Sequence, residues 1–242
     1  MAGLYLGGKV VAPVVTKEIP EERFGLVLDN FIGDVDENGV LRPVTCSGEL
    51  NFAGVKEISA NALSSTFYGN STITSVDLSS VISVGSSGLY FAFRNCKNLE
   101  NVDLSSLETV GSGGLNYAFQ DSTSLAGVNL GSLQKISSSG LNSAFRGCTA
   151  LVSVDFSSLE TAGSSAFTYA FYNCTALSII LFPSLISVQT NSFGSTAGNG
   201  IFYGCTNLVE IHFRSDMQAT IEAMSQYVDK WGATNATIYF DL

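Results

Sequence analysis

Charged residues make up only 13% of this 242-residue chain, and it holds one histidine, one tryptophan and four prolines. Each scarcity excludes something. With 11 Lys+Arg against 21 Asp+Glu, net charge −10, there is no basic stripe to hold a nucleic acid. A Ser-His-Asp device would have to use His212, and no Gly-x-Ser-x-Gly elbow or phosphate-binding loop accompanies it. No Cys-x-x-Cys pair occurs, so zinc is not expected, nor any other cofactor. Apolar runs are far too short for a membrane span, and residues 1–15 lack the basic start and cleavage site of a signal peptide.

What the chain does have is a period. Phe67, Phe93, Phe119, Phe145 and Phe171 recur every 26 residues. Other apolar positions keep step with them: Val76, Val102, Val128, Val154 and Ile180 in one column, Leu78, Leu104, Leu130, Phe156 and Phe182 in the next. Val81, Leu107, Leu133, Leu159 and Leu185 form another, followed by Val84, Val110, Ile136, Ala162 and Val188. A sixth copy begins at Phe202, displaced by 31 residues, with the extra five falling near the Gly/Ser/Thr stretch 195–200. Fixed periods of this length are the mark of stacked repeats, in which one coil cannot bury its apolar residues alone.

Within a coil the spacing changes. Val102 and Leu104 are two apart, as on one face of a strand; Leu89 and Phe93 are four apart, as in a helical turn. Gly/Ser stretches at 85–88 and 111–114, and Ser pairs such as Ser79 with Ser80, turn the chain. Each coil therefore reads as strand, corner, second extended piece, turn and short helical stretch. Six coils at about 4.8 Å give a body on the order of 30 Å long.

The run Ala144-Phe145-Arg146-Gly147-Cys148-Thr149-Ala150-Leu151-Val152-Ser153-Val154-Asp155-Phe156 resembles the BspA-like class of leucine-rich repeats, common in bacterial surface proteins. The resemblance covers about residues 58–213. It implies a leucine-rich-repeat solenoid, a right-handed α/β-type coil stack of about six 26-residue coils with non-repeat caps. The family is known for adhesion and protein recognition and has no shared catalytic site, so the resemblance carries over no functional residue.

The organisation expected is an N-terminal cap at 1–56, the solenoid at 57–213 and a C-terminal helix–strand cap at 214–242. In the first cap, residues 4–11 read as a hairpin, and residues 31–35 and 40–44 flank Asn38 and Gly39, a type I′ turn signal. Asp34, Asp36 and Asn38 mimic the start of a calcium loop, but Thr45 stands where a bidentate Glu is needed. In the last cap, Ser215 with Gln218 suggests a capping box, with Ile221, Met224, Val228 and Trp231 at helical spacing, Gly232 ending the helix and residues 237–240 a final strand.

Of five cysteines, Cys96, Cys148, Cys174 and Cys205 share one repeat position, held by Asn70 and Ser122 in other coils, while Cys46 lies outside it. One slot and an odd total argue for free buried thiols over a disulfide framework, although Cys148 and Cys174 fall in adjacent coils.

Two surfaces are candidates for partner binding. The position after each Phe carries Tyr68, Arg94, Gln120, Arg146, Tyr172 and Tyr203; two before it stand Phe91, Tyr117, Ser143 and Tyr169. Aromatics and arginines are what interfaces favour. The second is the outward strand column Asp77, Asp103, Asn129, Asp155 and His212, suited to a basic partner or a weakly held cation. The expectation is a non-enzymatic module that presents a repeated face to a protein or glycan, without nucleic acid or membrane insertion. A cell-surface or secreted setting fits if a leader is missing from this chain; otherwise a phage-particle component or a cytoplasmic interaction scaffold fits.

Overall fold

The computed structural model describes residues 5–6, 9–10, 31–35, 41–52, 54–189, 191–194, 200–224, 227 and 229–242, with side chains from Ser47 onward. Three parallel sheets carry the stack. Gly48–Asn51, Ile73–Asp77, Asn101–Asp103, Gly127–Asn129 and Ser153–Asp155 pair in sequence order in one sheet. Ile179–Phe182, Glu210–Phe213 and Thr237–Phe240 continue the same coil position in another. The second extended piece of each coil builds a six-stranded sheet from Glu57–Ile58, Ser83–Val84, Thr109–Val110, Lys135–Ile136, Thr161–Ala162 and Ser187–Val188.

Register follows the period: Val76 lies opposite Val102, Val102 opposite Val128 and Val128 opposite Val154. Every apolar column of the solenoid turns inward. The repeat phenylalanines are buried and stack ring on ring, with centroids 5.0 Å apart for Phe67–Phe93 and 5.6 Å for Phe119–Phe145. Successive coils thus fill identical slots, and the core is one continuous rod instead of a set of separate centres.

The stretch read as helical is not a helix. Between residues 87 and 96, each N–H is spoken for in alternation. Ser87, Leu89, Phe91, Phe93 and Asn95 donate to carbonyls of the next coil; Gly88, Tyr90, Ala92, Arg94 and Cys96 donate three residues back. The segment is a ladder of consecutive turns. Every fourth residue has positive φ: Ser87, Phe91 and Asn95, then Gly113, Tyr117 and Asp121, then Ser139, Ser143 and Gly147. A one-turn helix would leave its terminal N–H and C=O groups unpaired and offer nothing to the neighbouring coil. The turn ladder satisfies both, and its four-residue period produces the Leu89–Phe93 spacing.

At the N-terminal side, Tyr5–Leu6 pairs antiparallel with Lys9–Val10, and Phe31–Val35 with Leu41–Cys46, as the two expected hairpins. The Asn38–Gly39 turn and the calcium-like positions 36 and 38 lie outside the described residues, as do Cys46's side chain and Val228.

The C-terminal segment departs from the sequence reading. A 3₁₀ turn at Ser215–Met217 leads into a helix of only Gln218–Glu222, and no side chain caps either start. The capping box is replaced by other pairs: Arg214 binds Asp216 at 2.9 and 2.6 Å, and Gln218 Nε2 donates to Glu222 Oε1 at 2.9 Å. Ile221, Met224 and Trp231 are buried as expected, but Trp231 sits in a separate 3₁₀ turn with φ 50°. That backbone reversal aims the Trp231 carbonyl at the Phe202 N–H, 3.1 Å away, and packs the indole edge-on to Phe193 at 5.0 Å. Gly200 passes so close to the Trp231 carbonyl that a Cβ would overlap it.

Candidate recognition surface

The turn ladder puts the after-Phe row and the two-before row side by side on one face. Two clusters result. In the first, the Arg94 guanidinium lies over the rings of Phe91 (5.0 Å) and Tyr68 (5.7 Å), and Phe91 stacks on Tyr117 at 4.7 Å. In the second, Arg146 lies over Tyr172 (4.8 Å) and Tyr169 (5.6 Å), and Tyr172 stacks on Tyr203 at 5.0 Å. Cation–π contact holds each guanidinium in place. Tyr68 and Tyr203 are 51% and 47% exposed, which puts the outer ends of both clusters in solvent.

Between the clusters, Gln120 is nearly buried and its amide nitrogen donates to Asp121 at 3.0 Å, leaving its Oε1 unpaired; Arg94 Nε is likewise buried without an acceptor. Ser143 is fully buried and donates to Asn142. Tyr90 belongs to this face although the repeat gives no hint of it: its ring meets Phe91 edge-on at 4.1 Å. Its column elsewhere holds Asn116, Asn142 and Thr168, so no periodic signal marked it.

The acidic column forms a different surface. Asp103, Asn129 and Asp155 face outward on the strands around a shallow depression that also includes Asn101 and Ser153 and opens where Gly127 lacks a side chain. Each member has local work. The Oδ1 of Asp77, Asp103, Asn129 and Asp155 accepts the N–H two residues on, from Ser79, Ser105, Gly131 and Ser157, at 2.8–2.9 Å. The column is thus a row of Asx turns that close the corner after the strand. Among the described residues, no group of three His, Cys, Asp or Glu side chains is arranged to hold a metal ion.

His212 continues this column at the last coils but stands in another environment. Its Nδ1 lies 2.8 Å from Asp241 Oδ1 and its Nε2 3.3 Å from Glu210 Oε2, and the ring stacks on Tyr239 at 4.6 Å. Burial opposes its protonation, but the two hydrogen-bonded carboxylates outweigh this and raise its pKa above the ordinary 6.5. Tyr239 was not legible as a partner, because residues 237–240 stack as a further coil beyond the visible repeat.

The cysteine slot is buried and structural. The thiols of Cys96, Cys148, Cys174 and Cys205 donate to the carbonyls of Phe67, Phe119, Phe145 and Phe171 in the preceding coil, at 2.9–3.1 Å. Ser122 makes the same bond to Phe93 at 2.9 Å. The thiols of Cys148, Cys174 and Cys205 are free, and burial pushes Cys205 up to about 12.

A stack of parallel strands with leucine, valine and phenylalanine columns at one period defines a leucine-rich-repeat solenoid, a general protein-interaction fold. The chain belongs to the BspA type leucine-rich repeat family, whose model matches residues 56–197 and 168–227 in six copies. Among solved structures it is similar to a Treponema pallidum leucine-rich repeat protein, with 19% identity over 93% of this chain and 83% of that one (TM-score 0.43). It is also similar to a leucine-rich repeat protein from Bacteroides ovatus, with 20% identity over 79% of this chain and 65% of that one (TM-score 0.30). No curated protein matches the sequence. Among the described residues, no helix is long and apolar enough to cross a membrane.

Proposed function

We propose that this chain is a non-enzymatic binding module whose turn-ladder face recognises a protein or glycan partner, in adhesion or recognition at a bacterial surface. One observation carries the reading. Phe91, Tyr117 and Tyr169 hold φ of 55–57°, the left-handed region that glycine or asparagine enters easily and a bulky side chain does not. The neighbouring left-handed positions in the ladder are filled by Ser, Asn, Asp or Gly. Backbone strain of this kind gathers at functional sites. A ring kept at such a position, half-buried and outside the phenylalanine core, is better explained by what it presents than by what it covers.

The test is unfolding of Phe91→Gly, Tyr117→Gly and Tyr169→Gly, each compared with Phe119→Ala from the core. If the rings serve a partner, relief of left-handed strain offsets most of the lost ring contact, and each glycine variant loses less than about 1 kcal/mol. The core truncation costs about 3–5 kcal/mol. Glycine variants that lose as much as Phe119→Ala would make the rings a lid on the core and end this reading.

A further inference from the structure

The turn-ladder face has three properties that together narrow its partner. First, its backbone is spent. All N–H groups at 87–96, 113–122 and 139–148 donate within the coil or to the next one. No strand can be added there, so recognition must run through side chains.

Second, its outward chemistry is electropositive. The rings of Phe91 and Tyr117 lie within 11° of parallel, and those of Tyr172 and Tyr203 within 15°, stacked along the coil axis. Within each pair one electron-rich face is covered by the neighbouring ring, and the guanidiniums of Arg94 and Arg146 lie over Phe91 and Tyr172, so positive charge sits on the aromatic stacks. Arg94 and Arg146 form no ion pair or side-chain hydrogen bond among the described residues, so their donors are unspent. Charge is segregated around the body. Residues 59–70, 85–96, 111–122, 137–148 and 163–174 hold these two arginines and a single acid, Asp121, which Gln120 engages, on a chain of net charge −10.

Third, the two arginine–aromatic clusters repeat at a definite step. Arg94 and Arg146 are two coils apart, about 10 Å at the spacing of stacked strands. A polyproline II segment returns to the same face every three residues, about 9 Å along its axis, and its backbone needs no ladder partner. A β-strand puts residues three apart on opposite faces.

Resting on the reading above that this face is the recognition surface, we infer that its partner is an acidic protein segment in the polyproline II conformation, with a carboxylate at every third residue. One carboxylate meets Arg94 and the next Arg146. The intervening prolines lie against the rings of Phe91, Tyr117, Tyr169 and Tyr172.

The experiment is titration of the full chain with a repeated Glu-Pro-Pro peptide, followed by calorimetry at low and high salt. The expected result is salt-sensitive binding, weakened at least about tenfold by Arg94→Gln and by Arg146→Gln in variants whose unfolding curves match the parent. Equal binding of a Gln-Pro-Pro peptide would overturn the charge match, and equal binding of a Glu-Gly-Gly peptide would overturn the polyproline geometry. Binding of an alternating uronate polysaccharide through the same arginines, with none of the peptide, would make the partner a glycan and reject the proposal. No binding of any probe also rejects it, and the glycine variants then separate the two failures. If they remain stable, the partner class is wrong and the surface reading stands; if they unfold like core variants, both fall.

Discussion

The thiol of Cys148 donates to the carbonyl oxygen of Phe119, 3.1 Å away and one coil earlier. The same bond joins Cys174 to Phe145 at 3.0 Å, and Ser122 supplies it to Phe93 with a hydroxyl. The slot therefore asks for a small side chain with one donor, buried against the preceding coil. Cys148→Ser should keep the bond and cost less than Cys148→Ala, which deprives a buried carbonyl of its second donor, leaves it the Ser122 N–H, and costs about 0.5–1.5 kcal/mol. Chemical denaturation of the two variants checks this. Equal losses would mean that volume, not donation, sets the slot.

The corner after each strand depends on a side-chain acceptor. Asp103 Oδ1 takes the Ser105 N–H at 2.9 Å, and Asn129 does the same for Gly131. Because an amide oxygen already serves in one coil, Asp103→Asn should leave thermal stability nearly unchanged. Asp103→Ala, without an acceptor, should lower stability by about 0.5–1.5 kcal/mol. An Asn variant as weak as the Ala variant would show that the carboxylate charge matters beyond the turn.

The core was legible in the sequence because stacking obliges each coil to fill the same slot. Val76, Val102, Val128 and Val154 could be aligned by counting, and the structure pairs them in that order. The turn ladder was not legible, because Leu89 and Phe93 have the same spacing in a helix and in consecutive turns. What separates the two is hydrogen bonding between coils, a long-range property. Phe91 and Tyr117 could be placed in one column, but not in the left-handed region, which their residue types argue against. At the last cap, local signals at Ser215 and Gln218 favoured a capped helix. The expected strand Thr237–Phe240 is there and pairs with Glu210–Phe213, but the helix before it is short and uncapped, and Trp231 is held by Phe193 and the Phe202 N–H. Tertiary contacts overrode the local preference there.

His212 links that last strand to the stack. Its imidazole sits between Asp241 and Glu210, and Asp241 directly follows the strand Thr237–Phe240. The two carboxylates raise the histidine's pKa in the folded chain above the ordinary 6.5. The sign follows from linkage: the folded state binds the proton more tightly than the unfolded state. The stability gained is fully present below pH 6.5 and is lost as pH rises through the folded pKa. The parent should therefore show a falling melting temperature as pH is raised from about 6 through neutrality, and His212→Gln should flatten that slope. Hydrogen exchange at residues 237–240 locates the effect: in the parent, protection there should drop over the same pH range, while Phe119 in the middle of the stack keeps its protection. If exchange at the two places moved together, the clamp would be acting on global stability and not on the closing strand.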